Sequence, residues 1–126
     1  MDSNSQHDTE AESEVNEVAD SLEKGQKALF NDRSRPLKVV DRMKKEITKV
    51  YRKRHGERGY YDIVVMEGNG TVYHLVWQHG SGSNPILRKR SEWTETETEE
   101  GEVEYDYSSQ GDRIDSIEII EETQAD

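Results

Sequence analysis

Lys38, Arg42, Lys45, Lys49, Arg52 and Lys53 recur at spacings of three, four and seven residues. Side chains at those intervals collect on one side of an α-helix, where this set fills an arc of about 100°. Like charges so placed repel by a few tenths of a kcal/mol per pair. A negative partner is therefore expected opposite them: nucleic-acid phosphate, an acidic protein, or the chain's own acidic segments. Arg54, His55, Arg58, Tyr60 and Tyr61 extend the patch with rings able to stack on bases, and Arg88, Lys89 and Arg90 form a second basic cluster. Nothing here resembles a base-reading module, so contact through phosphate, without sequence preference, is the chemistry implied. Solvated helix faces are ordinarily charged and tyrosines ordinarily pack; an almost wholly basic arc, with Asp41 and Glu46 only at its margins, is what sets this face apart.

The opposite sign appears further on. Glu95, Glu97, Glu99, Glu102 and Glu104 flank Gly101, and regularly spaced carboxylates on a β-ribbon can imitate a phosphate backbone. The alternative function is thus a protein–protein adaptor or inhibitor, with a basic or DNA-binding protein as partner. A charged strand edge that blocks aggregation is the commoner reason for such a pattern.

Other chemistries find little support. The chain has no cysteine and four histidines, and neither an HxH nor an HExxH pattern occurs, so no metal site is expected. His74 and His79 differ by an odd number, which puts them on opposite faces of an ideal strand. His79-Gly80-Ser81-Gly82-Ser83-Asn84 is the best phosphate-loop candidate, but Pro85-Ile86 begins a strand where a cradle needs a helix N-terminus. The acids cluster where apolar residues are scarce, so no enclosed acid–base pair is expected. The expectation is a non-enzymatic binding protein without cofactor.

Composition bounds the setting. The 126 residues suit a single domain. Net charge is −11, but residues 33–60 carry eleven basic against three acidic residues, whereas 1–32 and 91–126 are strongly acidic. Such an excess also fits adaptation to high salt. Without cysteine, an apolar N-terminal run or a long apolar stretch, a cytoplasmic protein with no membrane association is expected.

The elements that must position these residues follow from periodicity. Ser34 and Pro36 open, and Gly56 closes, a predicted amphipathic helix of about residues 34–54, whose apolar members Leu37, Val39, Val40, Met43, Ile47, Val50 and Tyr51 span an arc of about 160°. A weaker helical hint runs from Val15 to Phe30. Residues 60–67 and 71–79 alternate at period two around Gly68-Asn69-Gly70, a hairpin signature. Further strands are predicted at 86–98, 102–108 and within 112–122, the last with a helix as competitor. The expected fold is α+β: one amphipathic helix packed on a four- to five-stranded antiparallel meander over residues 33–122, with a disordered acidic arm at 1–32 and a short tail at 123–126. The expected core comprises Leu37, Val40, Met43, Ile47, Val50, Ile63, Val65, Leu75, Trp77, Trp93, Val103, Tyr105, Ile117 and Ile119.

Overall fold

The structure is a computed structural model that describes residues 14–80 and 82–120. It overturns the predicted helix. Leu37–Tyr51 is a single long strand, and the described residues form nine strands of one mixed sheet with one short α-helix. In order these are α1 (Glu14–Asp20), β1 (Lys27–Phe30), β2 (Leu37–Tyr51), β3 (Arg54–Gly68), β4 (Thr71–Gln78), β5 (Ile86–Lys89), a 3-10 turn (Arg90–Glu92), β6 (Trp93–Glu97), β7 (Val103–Tyr107), β8 (Asp112–Arg113) and β9 (Ile117–Ile120).

The physical reason for the error lies in β2 itself. Val39, Val40, Ile47, Thr48 and Val50 are β-branched and favour an extended backbone. The register with β3 slips between Val39 and Asp41, where one extra residue on β2 forms a bulge. Leu37 and Val39 therefore face one side of the sheet, whereas Met43 and Ile47 face the other. Val50, out of step with Ile47, is buried as well. A bulged strand buried on both sides leaves apolar gaps of three and four residues, which mimic the period of a helix.

The sheet order is β6-β7-β2-β3-β4-β5-β8, with β1 pairing β2 and β9. Strands β2 to β5 run antiparallel in sequence order. The chain then departs from a meander: β7 returns to pair parallel with the second half of β2, Ile47 opposite Val103 and Tyr51 opposite Tyr107. The predicted third strand is broken at Arg90–Glu92, so that β5 pairs β4 while β6 pairs β7. The hairpin of β3 and β4 is as expected, Asn69 and Gly70 both adopting the left-handed conformation (φ 55° and 82°) that its tight turn requires. The segment after residue 112 is extended rather than helical.

Two cores result, one on each side. On the helix side, Ala19 of α1, Leu22, Phe30 of β1 and Ile114 cover Val64, Met66, Leu75 and Leu87. On the hairpin side, β6 and β7 fold over Ile47, Ile63 and Val76, with Trp93, Tyr105 and Tyr107 pointing inward. The predicted disordered arm needs correction accordingly, since Ala19, Leu22, Ala28 and Phe30 are wholly buried; residues 1–13 and the tail at 123–126 lie outside the described residues. Of the expected core, Leu37, Ile47, Val50, Ile63, Leu75, Trp77, Trp93 and Tyr105 are buried, while Val40, Met43, Val65, Val103, Ile117 and Ile119 are half-buried.

Candidate functional site

With β2 extended, its cations divide by parity. Lys45 and Lys49 project to the hairpin side with Met43 and Ile47, and Lys49 Nζ lies 5.4 Å from the Tyr61 ring and 5.9 Å from that of Tyr107. Arg42 turns to the helix side, where Nη1 donates to the carbonyls of Asp20 and Leu22 and Nη2 approaches Asp20 Oδ1 at 3.4 Å. Lys38 stays exposed opposite Glu67 at the far end of the strand. The six cations thus do not form one face.

Arg52 and Lys53 form the β2–β3 turn, with Tyr51 and Arg54 paired across it. Both hold left-handed backbone (φ 53° and 67°), a conformation that costs a side-chain-bearing residue roughly 1–2 kcal/mol. Two charged residues replace the Asn-Gly pair that such a turn favours. The strain is stored at the tip of a basic hairpin.

Beside that tip lies a pocket of about 490 Å³ lined by Lys49, Tyr51, Arg54, Arg88, Tyr107 and Arg113, with Gly56, Ile86, Gln110 and Gly111 completing its wall. No carboxylate lines it. Arg88 projects from β5 into the hairpin side and is 6% exposed. Its Nε donates to the Ser109 carbonyl at 3.1 Å and its Nη2 to that of Gln110 at 3.0 Å, while the guanidinium sits 3.7 Å above the Tyr107 ring. Those contacts fix the group, yet Nη1 is buried without a hydrogen-bond partner, as is the Tyr107 hydroxyl. Burial pushes the Tyr107 phenol well above its ordinary range, so that it remains a donor. Burial, followed by the adjacent Arg88, pulls Lys49 below its usual value. Gly111 backs the site with φ 76°, and a Cβ there would lie 2.6 Å from Arg88 Cγ and 2.6 Å from Ile86 Cγ2. Only glycine allows this approach to β5.

The remaining predicted cations are paired internally. Lys45 Nζ binds Glu95 at 2.9 Å; Arg58 reaches Glu46 at 3.3 Å and Glu102 at 3.7 Å; His55 lies 3.8 Å from Glu104. Arg90 donates to the Trp93 carbonyl and stacks on that indole, away from the pocket. Of the acidic set, Glu95 and Glu102 therefore face cations of β2 and β3 and Glu104 faces the His55 ring, while Glu97 and Glu99 are exposed. Tyr61 is buried in the hairpin-side core, whereas Tyr60 is exposed.

The histidines are dispersed. His74 is buried against Trp93, ring centroids 4.5 Å apart, and burial lowers its pKa to about 4. His79 Nδ1 is 2.8 Å from the buried Asp62 carboxylate. Among the described residues no group of three His, Asp or Glu is placed to hold a metal ion, and no helix is long and apolar enough to cross a membrane.

Sequence reasoning missed Tyr51, Tyr107 and Arg113 as pocket residues. Tyr51 read as part of the apolar arc of the predicted helix and Tyr107 as one residue of the predicted strand 102–108, and Arg113 follows a glycine turn with no motif around it. No family model matches the chain, and neither a curated protein nor a solved structure matches it.

Proposed function

We propose that this chain is a small non-enzymatic binding protein that takes nucleic acid at the basic end of the β2–β3 hairpin, with its own acidic β6–β7 hairpin holding the neighbouring cations. The reading rests on the convergence of Lys49, Arg54, Arg88 and Arg113 on one pocket without a carboxylate, in a chain of net charge −11. Phosphate is the anion that strands present in series, and Arg52 and Lys53 at the hairpin tip continue the basic track. Tyr51 and Tyr107 add aromatic surface at the same place.

The acidic ribbon is the weaker candidate for a partner surface. Two of its five carboxylates, Glu95 and Glu102, already face cations within the chain, and Glu104 faces the His55 imidazole. Those pairs instead support modulation in cis, since they lie alongside the proposed track.

Fluorescence anisotropy with a labelled single-stranded oligonucleotide at low salt tests the reading. Binding is expected to weaken linearly in log–log against salt, and R52Q with K53Q is expected to reduce that slope by roughly 0.7 per lost phosphate contact. Exchanging Glu102 and Glu104 for Gln is expected to tighten binding. No binding of the full chain at low salt would overturn the proposal.

A further inference from the structure

An arginine buried to 6% exposure normally has every donor satisfied, because an uncompensated buried charge costs several kcal/mol. Arg88 does not: Nη1 lacks a partner, and the hydroxyl of Tyr107, whose ring lies under the guanidinium, lacks one too. Twenty-eight acidic residues were available to this chain, yet none lines the pocket. Both unsatisfied groups are donors, since an arginine has no acceptor and a protonated phenol readily donates. The Glu92 carboxylate acts on Arg88 from a distance and without a hydrogen bond, so what is missing is an acceptor in contact with Nη1.

We infer that the pocket is a phosphate-monoester site, built around Arg88 and Tyr107, that captures the terminal phosphate of a nucleic-acid strand. The strand as source rests on the function proposed above; the phosphate chemistry rests on the pocket alone. An internal phosphodiester brings one negative charge, whereas a monoester brings about two and three strong acceptor oxygens. That matches Arg88, Lys49 and Arg54 better, Arg113 being engaged at 3.2 Å with the exposed Asp115, which is not among the pocket's lining residues. The guanidinium is already fixed by two backbone carbonyls and the Tyr107 ring, so little ordering accompanies binding. A volume of about 490 Å³ admits a phosphate together with the sugar that carries it.

The experiment compares the full chain's affinity for oligothymidylates bearing a 5′-phosphate, a 3′-phosphate or only hydroxyl ends, with inorganic phosphate as a separate titrant followed by NMR. At least one phosphorylated strand is expected to bind about tenfold or more tightly than the hydroxyl form, the range of a charge-assisted hydrogen bond added to an ion contact. Arg88→Met is expected to abolish the difference, so that within this variant the phosphorylated and hydroxyl strands bind alike. Because that substitution alters a packed position, Tyr107→Phe provides the second variant: it keeps the ring and is expected to lose several-fold of the preference. Equal affinity for all three strands overturns the monoester site and leaves the nucleic-acid reading standing. Arg88-dependent binding of inorganic phosphate with no binding of any strand supports the site and overturns its assignment to nucleic acid.

Discussion

The two sides of the sheet are buried by different kinds of neighbour. On the helix side, α1, the segment that follows it, β1 and β9 lay Ala19, Leu22, Phe30 and Ile119 over Val64, Met66 and Leu75, and the charged Arg42 reaches in only at the margin, where backbone carbonyls receive it. On the hairpin side Trp93 stacks on Tyr105 with centroids 4.5 Å apart, and cations enter the same layer: Lys45 over Tyr105, Lys49 near Tyr61 and Tyr107, Arg88 on Tyr107. One side is organised for packing. The other combines packing with charge that the fold leaves partly uncompensated, and such departures from local consistency are where function is sought.

The sharpest way to break this contrast is to remove bulk from the helix side. Leu75→Ala is expected to lower the unfolding free energy by about 2–5 kcal/mol, with its size set by how far the site collapses. Urea unfolding reads the change, and a loss below about 1 kcal/mol would show that this side is not the main source of stability.

The hairpin side should respond to acid through His74. Its folded pKa of about 4 lies below the unfolded value, so the fold disfavours the imidazolium. Stability is then complete above about pH 6.5 and declines as the pH falls towards 4, by roughly 2–3 kcal/mol. Arg90, Lys45 and Glu95 surround the ring, and the two cations outweigh the carboxylate. His74→Phe should remove that part of the pH dependence, measured as the difference between the two proteins at pH 7.5 and 4.5. If both lose stability equally, the imidazole is charged in the folded protein.

A smaller effect is expected at Arg88. Arg88→Met relieves a buried, incompletely paired charge but leaves the Ser109 and Gln110 carbonyls without their donor; the two effects oppose each other, so stability should change by about 1 kcal/mol. A loss of several kcal/mol would make Arg88 a structural strut. The smallest effect belongs to Lys45 and Glu95, an ion pair whose side chains are a third or more exposed; a double-mutant cycle should give about 0.2–1 kcal/mol, falling with salt.

Much of the sheet was legible where local and tertiary preferences agree. Asn69-Gly70 states its turn, and the alternation on either side states its strands. Arg52-Lys53 states nothing of the kind, because its left-handed backbone is held by the flanking β2–β3 register and not by residue type. With that turn hidden, β2 could not be recognised as one arm of a hairpin, and its double-sided burial passed for a helix. Arg54 and Arg88 stand 34 positions apart, and through the β3–β4–β5 registers Arg88 lies level with Val65, far along β3 from Arg54; they line one pocket only because the sheet folds back on itself, which no local pattern reports. Of the predicted cations, Lys49, Arg54 and Arg88 line one pocket, Arg52 and Lys53 form the adjoining turn, and Lys38, Arg42 and Arg90 lie elsewhere.

The parallel seam between β2 and β7 has a kinetic consequence. Ile47 must wait for Val103, so the second half of β2 has an open flank until most of the chain has been made, and closing so long a loop is slow. An unprotected flank of that kind invites pairing with another molecule. Lys45 and Lys49 make that flank repel its own copies, while Glu95, Glu102 and Glu104 arrive on the hairpin that completes it. Opposite charge thereby favours the correct late-coming strand over a stray one, so that these carboxylates act as guides while the protein is being assembled.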